Sequence, residues 1–167
     1  YTVNGFSSLK ILSYNSCKPF DEERKGLSLG DGAAYLILES EECAYDKKKY
    51  AIVSGYGNIN DTFHQSSLSE NASGVINAMT KAISKAGIPV EDIGYINTHG
   101  TATDNNDRVE LLGISKIFSK MPPYNSTKSY TGHTLAASGA IEAVFSIMSL
   151  CNKELYKSLN CNIPIKT

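Results

Sequence analysis

The chain has 167 residues, 41% of them hydrophobic and 20% charged, which is enough to close the core of about one globular domain. Sixteen Lys and Arg stand against seventeen Asp and Glu, a formal net charge of -1, so nothing favours a nucleic-acid groove or a polybasic membrane surface; the one dense basic run, Lys47, Lys48 and Lys49, follows Glu41, Glu42 and Asp46 and reads as a solvated turn. No apolar stretch is read as spanning a membrane, since the nearest one, residues 134–151, carries Ser138, Glu142, Ser146 and Ser149 as a helix packed inside protein would.

The chain opens on Tyr1 with no charged-then-apolar leader, which reads as a processed or excised segment. Cys17, Cys43, Cys151 and Cys161 form no C-x-x-C pair and no zinc spacing, so reduced thiols and a cytoplasmic setting are expected. Residues 1–20 are polar and irregular, with Phe6, Leu9, Ile11 and Leu12 placed for a short helix over a core. From residue 27 the pattern changes: Gly26, Gly30 and Gly32 punctuate the run 33–38, which reads as a strand buried on both faces, and residues 51–56 read as a second strand. The two G-x-G patterns, Gly30 with Gly32 and Gly55 with Gly57, lead into no helix as a dinucleotide fingerprint must, and read as turn and close-packing glycines.

Residues 61–71, including His64, read as a polar exposed loop. Ile76, Met79, Ile83 and Ala86 then fall on one face of an amphipathic helix that Gly87 stops, with Pro89 just beyond. A short strand over residues 93–97 runs into Thr98-His99-Gly100-Thr101-Ala102-Thr103-Asp104, after which Asn105 or Asn106 can cap a helix carrying Val109, Leu112 and Ile117. The same arrangement recurs: residues 124–129 lead into Tyr130-Thr131-Gly132-His133, and His133 opens a long helix whose first turns hold only small residues and which reads as buried and central. Residues 152–167 read as a loop.

Two histidines therefore sit where a strand ends and a helix begins, which is where open α/β sheets hold ligands. His99, Asp107, Glu110, Lys128 and His133 can converge on one site. Taken singly, each histidine can equally satisfy a local backbone group. A metal site is disfavoured, because no H-x-x-x-H or H-E-x-x-H spacing exists and a nearby lysine opposes a cation. A serine-hydrolase elbow, G-x-S-x-G, is absent.

Three ordered motifs carry a resemblance. They are Ser16-Cys17-Lys18-Pro19-Phe20-Asp21 through Arg24-Lys25-Gly26-Leu27-Ser28-Leu29-Gly30-Asp31-Gly32-Ala33, then Asn97-Thr98-His99-Gly100-Thr101-Ala102-Thr103 through Asp107 and Glu110, then Ser126-Thr127-Lys128-Ser129-Tyr130-Thr131-Gly132-His133. Together they resemble the β-ketoacyl-acyl-carrier-protein synthases, from about Gly5 to about Pro164. The resemblance implies an α/β, thiolase-like fold, of which this chain holds a part: residues 1–60 the end of the first half, residues 61–167 the C-terminal domain.

It also implies a Cys-His-His site for decarboxylating Claisen condensation in fatty-acid or polyketide synthesis. His99 and His133 match its two histidines, whose neutral rings can each donate an N–H to the thioester oxygen as charge builds there. Lys128, with the acid matched by Glu110, is implied to fix histidine orientation and local charge; the plain alternative is a surface ion pair. Asp107 is a supporting acid. Thr101 and Thr103 match hydroxyls that hold the phosphopantetheine arm of the carrier substrate, or else cap the turn. No covalently bound cofactor and no metal is implied; the partners are acyl carrier protein and a second ketosynthase subunit, identical or not, with no nucleic acid and no membrane.

The departures are Ala102 for a usual glycine or serine, Asp104 for a frequent proline, Asp31 for glutamate and Lys18 for arginine. None of the four cysteines has the surroundings of the nucleophile, which is expected upstream of Gly5, and a glycine-rich phenylalanine loop is expected beyond Thr167. The chain alone is therefore expected to be inactive. A non-catalytic partner of the chain-length-factor type is the second reading, and a condensing enzyme using coenzyme A thioesters the third.

Overall fold

The computed structural model describes residues 1–64 and 67–166. Gln65 and Ser66, inside the expected loop 61–71, and Thr167 lie outside the described residues. After a short exposed helix, α1 (Thr2–Ser8), the first long element is α2 (Ser73–Ala86). It forms where apolar residues recur at helical spacing, and Met79 and Ile83 turn inward to the core. It stops at Gly87, whose φ of 66° suits a residue without Cβ and whose N–H returns to the Ile83 carbonyl at 3.1 Å.

Strand β1 (Ile96–Asn97) pairs in parallel with β2 (Tyr124–Asn125), Ile96 opposite Tyr124 and Asn97 opposite Asn125. Each strand runs into a turn and then a helix: α3 (Asp104–Ile117) after β1, α4 (Lys128–Thr131) after β2. Because the strands are parallel neighbours, the two turns emerge side by side. A last helix, α5 (Ser138–Asn152), follows a 3-10 turn at Leu135–Ala137.

The core lies between α2, α3 and the β1–β2 pair. Leu111, Ile114 and Phe118 close on Phe20, with Met79, Ile83, Ile96, Tyr124 and Ile165 around them. Phe20 is 2% exposed and meets the Tyr124 ring edge to face, centroids 5.3 Å apart; burial of such a ring stabilises the fold by about 2–3 kcal/mol. The Phe20 segment thus docks onto α3, and three single bridges tie the N-terminal region elsewhere: Leu12 with Leu27 within it, Asp21 with Pro164 near the C-terminus and Leu29 with His133 in the turn after α4.

Several expectations are corrected. Residues 33–38 and 51–56 form no ladder, and Tyr35, Ile37, Leu38, Ile52, Val53 and Tyr56 are exposed. A strand needs a neighbour for its N–H and C=O groups, and among the described residues the one sheet is β1 with β2. The glycines nearby are close-packing residues: a Cβ on Gly57 would lie 1.9 Å from the Ala78 carbonyl oxygen of α2 and one on Gly55 2.2 Å from that of Ala82. Thr103, not Asn105 or Asn106, takes the cap position of α3; Asn105 bonds Leu68 instead, and Asn106 donates to Asp107 and Glu110.

The long helix begins at Ser138 rather than at His133, because Leu135 sits at φ 55°, in the left-handed region that a right-handed helix cannot include. Nor is it buried throughout: its buried residues are Ser138 and Ser149, while Met148 and Leu150 are exposed. With the preceding turn, Leu135–Asn152 makes 18 residues of mean hydropathy 1.4, long and apolar enough by length and composition to cross a membrane, contrary to the sequence reading. Its one acid, Glu142, is engaged by Lys128.

Candidate functional site

The turn after β1 is built by two carboxylates acting on backbone. Glu110, one α3 turn beyond Asn106, accepts the N–H of His99 at 2.7 Å and of Gly100 at 2.9 Å. Asp107, fully buried, accepts the N–H of Phe20 at 2.8 Å and of Ala102 at 3.1 Å, and the Arg24 Nε lies 3.9 Å away. Ala102 sits at φ 64°, the left-handed region, which is why a glycine is easier there. Gly100, at φ 39°, has no room for a side chain: an added Cβ would lie 2.5 Å from Ser126 Cβ and 2.7 Å from the Phe20 ring. Burial pushes the Glu110 carboxyl up to about 7, with Asp107 adding to the rise and the two N–H bonds and Lys128 opposing it.

Lys128 opens α4 directly behind His99 and is 1% exposed. Its ammonium has three N–H bonds and meets three acceptors: the His99 carbonyl at 2.6 Å, His99 Nδ1 at 3.2 Å and a Glu142 carboxylate oxygen from α5. An ammonium can only donate, so Nδ1 of His99 carries its lone pair and the ring proton resides on Nε2. Dense packing first, then Lys128 and His133, push the His99 imidazolium down to about 3, so the ring is neutral at neutral pH although His99 keeps an exposed edge. Burial raises the Glu142 carboxyl, and Lys128 opposes that rise.

His133 is fixed from the other side. Its N–H donates to the Ser28 carbonyl at 2.7 Å and its carbonyl accepts from Gly30 at 3.2 Å, so the 27–30 segment pins it. Gly30 permits this: a Cβ there would lie 1.9 Å from the Thr131 carbonyl oxygen. The Leu135 N–H, 3.1 Å from His133 Nδ1, again makes that nitrogen the acceptor and leaves the proton on Nε2. Burial and then Lys128 lower the His133 pKa below the ordinary imidazole value.

The two rings meet edge to face with centroids 5.1 Å apart. They border a cleft of about 830 Å³ that Thr101, Thr103, Asn106, Arg24 and Lys25 also line. Thr101 and Thr103 hydroxyls bond each other at 2.9 Å, side by side along one wall. Two neutral N–H donors beside a cleft of this size can stabilise an oxyanion developing between them.

Of the residues singled out from the sequence, the structure brings His99, His133, Lys128 and Glu110 together and sets Thr101 and Thr103 in the same cleft. Asp107 faces the Phe20 and Ala102 backbone rather than the rings. Lys128 is not a surface residue, and the ion partner found for it is Glu142, not Glu110. In the sequence Glu142 reads only as a polar interruption of the last helix; a lone acid in an otherwise apolar helix is its signal. Ser138, which touches His133, had none.

Among the described residues no cysteine lines the cleft. Cys17 is buried with Sγ 3.9 Å from the Thr101 carbonyl, and burial raises its thiol pKa, the opposite of activation. No group of three or more His, Cys, Asp or Glu among the described residues is arranged to hold a metal ion.

Residues 50–162 match the family described as "Beta-ketoacyl synthase, C-terminal domain". The 3-oxoacyl-[acyl-carrier-protein] synthase 2 of Vibrio cholerae serotype O1 is 39% identical over 96% of this chain, and the chain spans 42% of that protein's length. Among solved structures, the AntDE:AntF complex, a type II PKS acyl-carrier protein with its ketosynthase bound to the hexaketide, superposes with a TM-score of 0.90 at 29% identity, covering 98% of this chain and 43% of that one. The ishigamide ketosynthase/chain length factor gives a TM-score of 0.85 at 28% identity, covering 97% and 42%.

Proposed function

Because the chain belongs to the β-ketoacyl synthase family and carries part of its thiolase-like α/β fold, we propose that it is the portion of a β-ketoacyl-acyl-carrier-protein synthase that performs malonyl decarboxylation. The whole protein, an acyltransferase of fatty-acid or polyketide synthesis, works in the cytoplasm as a homodimer or a ketosynthase heterodimer, and acyl carrier protein is its further partner. Residues 1–60 close its first half and 61–167 form its C-terminal domain.

The observation that carries the reading is the capping of both Nδ1 atoms by obligate donors, Lys128 Nζ on one ring and the Leu135 N–H on the other. Both Nε2–H groups are then free to donate to one thioester carbonyl oxygen. As the malonyl C–C bond breaks and carbon dioxide leaves, the electron pair moves into the enolate, and its oxygen takes up charge between the two N–H groups. The enolate carbon attacks the acyl thioester on a cysteine nucleophile, whose thiolate departs. That cysteine is none of Cys17, Cys43, Cys151 and Cys161, so the 167-residue chain alone is inactive. Thr101 and Thr103 hold the amides of the phosphopantetheine arm, Lys128 and Glu110 hold His99, and Asp107 supports the turn.

In the full-length protein, His99→Ala or His133→Ala abolishes decarboxylation of malonyl-carrier protein while the cysteine is still acylated. Normal decarboxylation in either variant removes that histidine from the site. A full-length wild type that is never acylated supports the chain-length-factor reading instead.

A further inference from the structure

We propose that Ser138, backed by the Thr134 hydroxyl, is a positioning residue for His133. The inference rests on the condensing-enzyme reading above. Ser138 opens α5 and is 6% exposed; its Oγ lies 3.1 Å from His133 Nδ1 and 3.2 Å from Thr134 Oγ1.

A third group sets the direction of these bonds. The Leu135 N–H can only donate, and it points at the same Nδ1. Nδ1 therefore bears a lone pair, and a hydroxyl facing a lone pair donates to it. Ser138 Oγ is left to accept the Thr134 proton. The result is a one-way chain, Thr134 to Ser138 to His133, with every proton assigned.

Its mechanical consequence follows from where the donors sit. One backbone N–H fixes the position of Nδ1 but lets the ring tip about that contact. A second donor, on the first turn of α5 rather than in the turn 133–135, restrains the tipping and keeps Nε2–H aimed at the cleft beside His99. Both hydroxyls are buried, so the chain is not opened by competing water.

The test uses the full-length protein carrying this chain. Ser138→Ala lowers kcat for decarboxylation of malonyl-carrier protein about three- to tenfold, the effect of one ordinary hydrogen bond. KM is unchanged, because Thr101 and Thr103 are untouched. Ser138→Thr, which keeps the hydroxyl, restores the rate. In long-range 1H–15N spectra the wild-type His133 Nδ1 resonance is that of an unprotonated, hydrogen-bonded nitrogen, and in Ser138→Ala it moves toward that of a free imidazole nitrogen. A wild-type spectrum with the proton on Nδ1 overturns the proposal without any variant having to fold. An unmoved Nδ1 resonance in Ser138→Ala overturns it too, as does a loss confined to KM. Should His133→Ala leave decarboxylation intact, the enzyme reading fails, and the nitrogen resonance still reports the Ser138 contact separately.

Discussion

Replacing Lys128 by methionine separates what its charge does for stability from what it does for His99. The side chain is 1% exposed and methionine fills nearly the same volume, so the substitution removes the ammonium with little cavity. The first loss is the Glu142 ion pair. Removing one member of a buried pair costs about 3–5 kcal/mol, and the 17% exposure left to Glu142 lets water reach it, which places the cost near the lower end, about 3 kcal/mol. The second loss is the two charge-assisted bonds to His99, to its Nδ1 and to its carbonyl, each worth about 1.5–3 kcal/mol. If the Nδ1 bond serves to hold Nε2–H on the oxyanion, decarboxylation falls about 10- to 100-fold. The His99 pKa rises at the same time, since Lys128 is one of the causes that lower it. The two losses part in the double variant Lys128→Met/Glu142→Gln. No unpaired charge is left, so the unfolding midpoint in urea recovers the part of its shift that the ion pair caused, while the decarboxylation rate does not recover, because Nδ1 still lacks its donor. The measurements are urea unfolding and carbon dioxide release from malonyl-carrier protein by the full-length protein. Recovery of activity along with stability in the double variant, or a single variant within about threefold of wild type, refutes the argument.

Three further outcomes follow from the same geometry. His99 should titrate far below 6.5, near 3; the stability tied to its neutral form is present above pH 6.5 and lost as pH falls toward 3, and a proton-NMR midpoint near 6.5 contradicts the packing described. Asp107→Ala orphans the buried N–H groups of Phe20 and Ala102 and should cost about 3 kcal/mol in urea unfolding; a cost below about 1 kcal/mol means that the turn has other support. Gly30→Ala forces a Cβ to 1.9 Å from the Thr131 carbonyl oxygen, so the 27–30 segment must part from His133, with about 2 kcal/mol of stability and, in the full-length protein, most of the proposed decarboxylation lost; an unchanged melting temperature refutes the contact.

Local patterns were legible because their causes are local. The spacing of Met79 and Ile83 and the stop at Gly87 specify α2 with no knowledge of its neighbours, and the Thr98–Thr103 motif marks a strand that ends in a turn. The run 33–38 is equally apolar and yet forms no strand, since a ladder is a property of two paired segments and composition describes only one of them. Likewise, residues 133–137 have the composition of a helix start, but Leu135 sits at φ 55°, a left-handed conformation that a right-handed helix cannot run through, and the helix waits until Ser138.

The site divides along the same line. Sequence alone marked which side chains are candidates for the chemistry, because two histidines at strand-to-helix turns with a lysine between them are residue types at countable spacings. Tertiary structure decided what each of them is: that Asp107 and Glu110 hold backbone N–H groups, that Lys128 is buried against Glu142, and that each ring keeps its proton on Nε2. Those facts depend on which donor faces which lone pair, across contacts such as Lys128 with Glu142 that form only when separate helices pack, and no spacing along the chain encodes that direction.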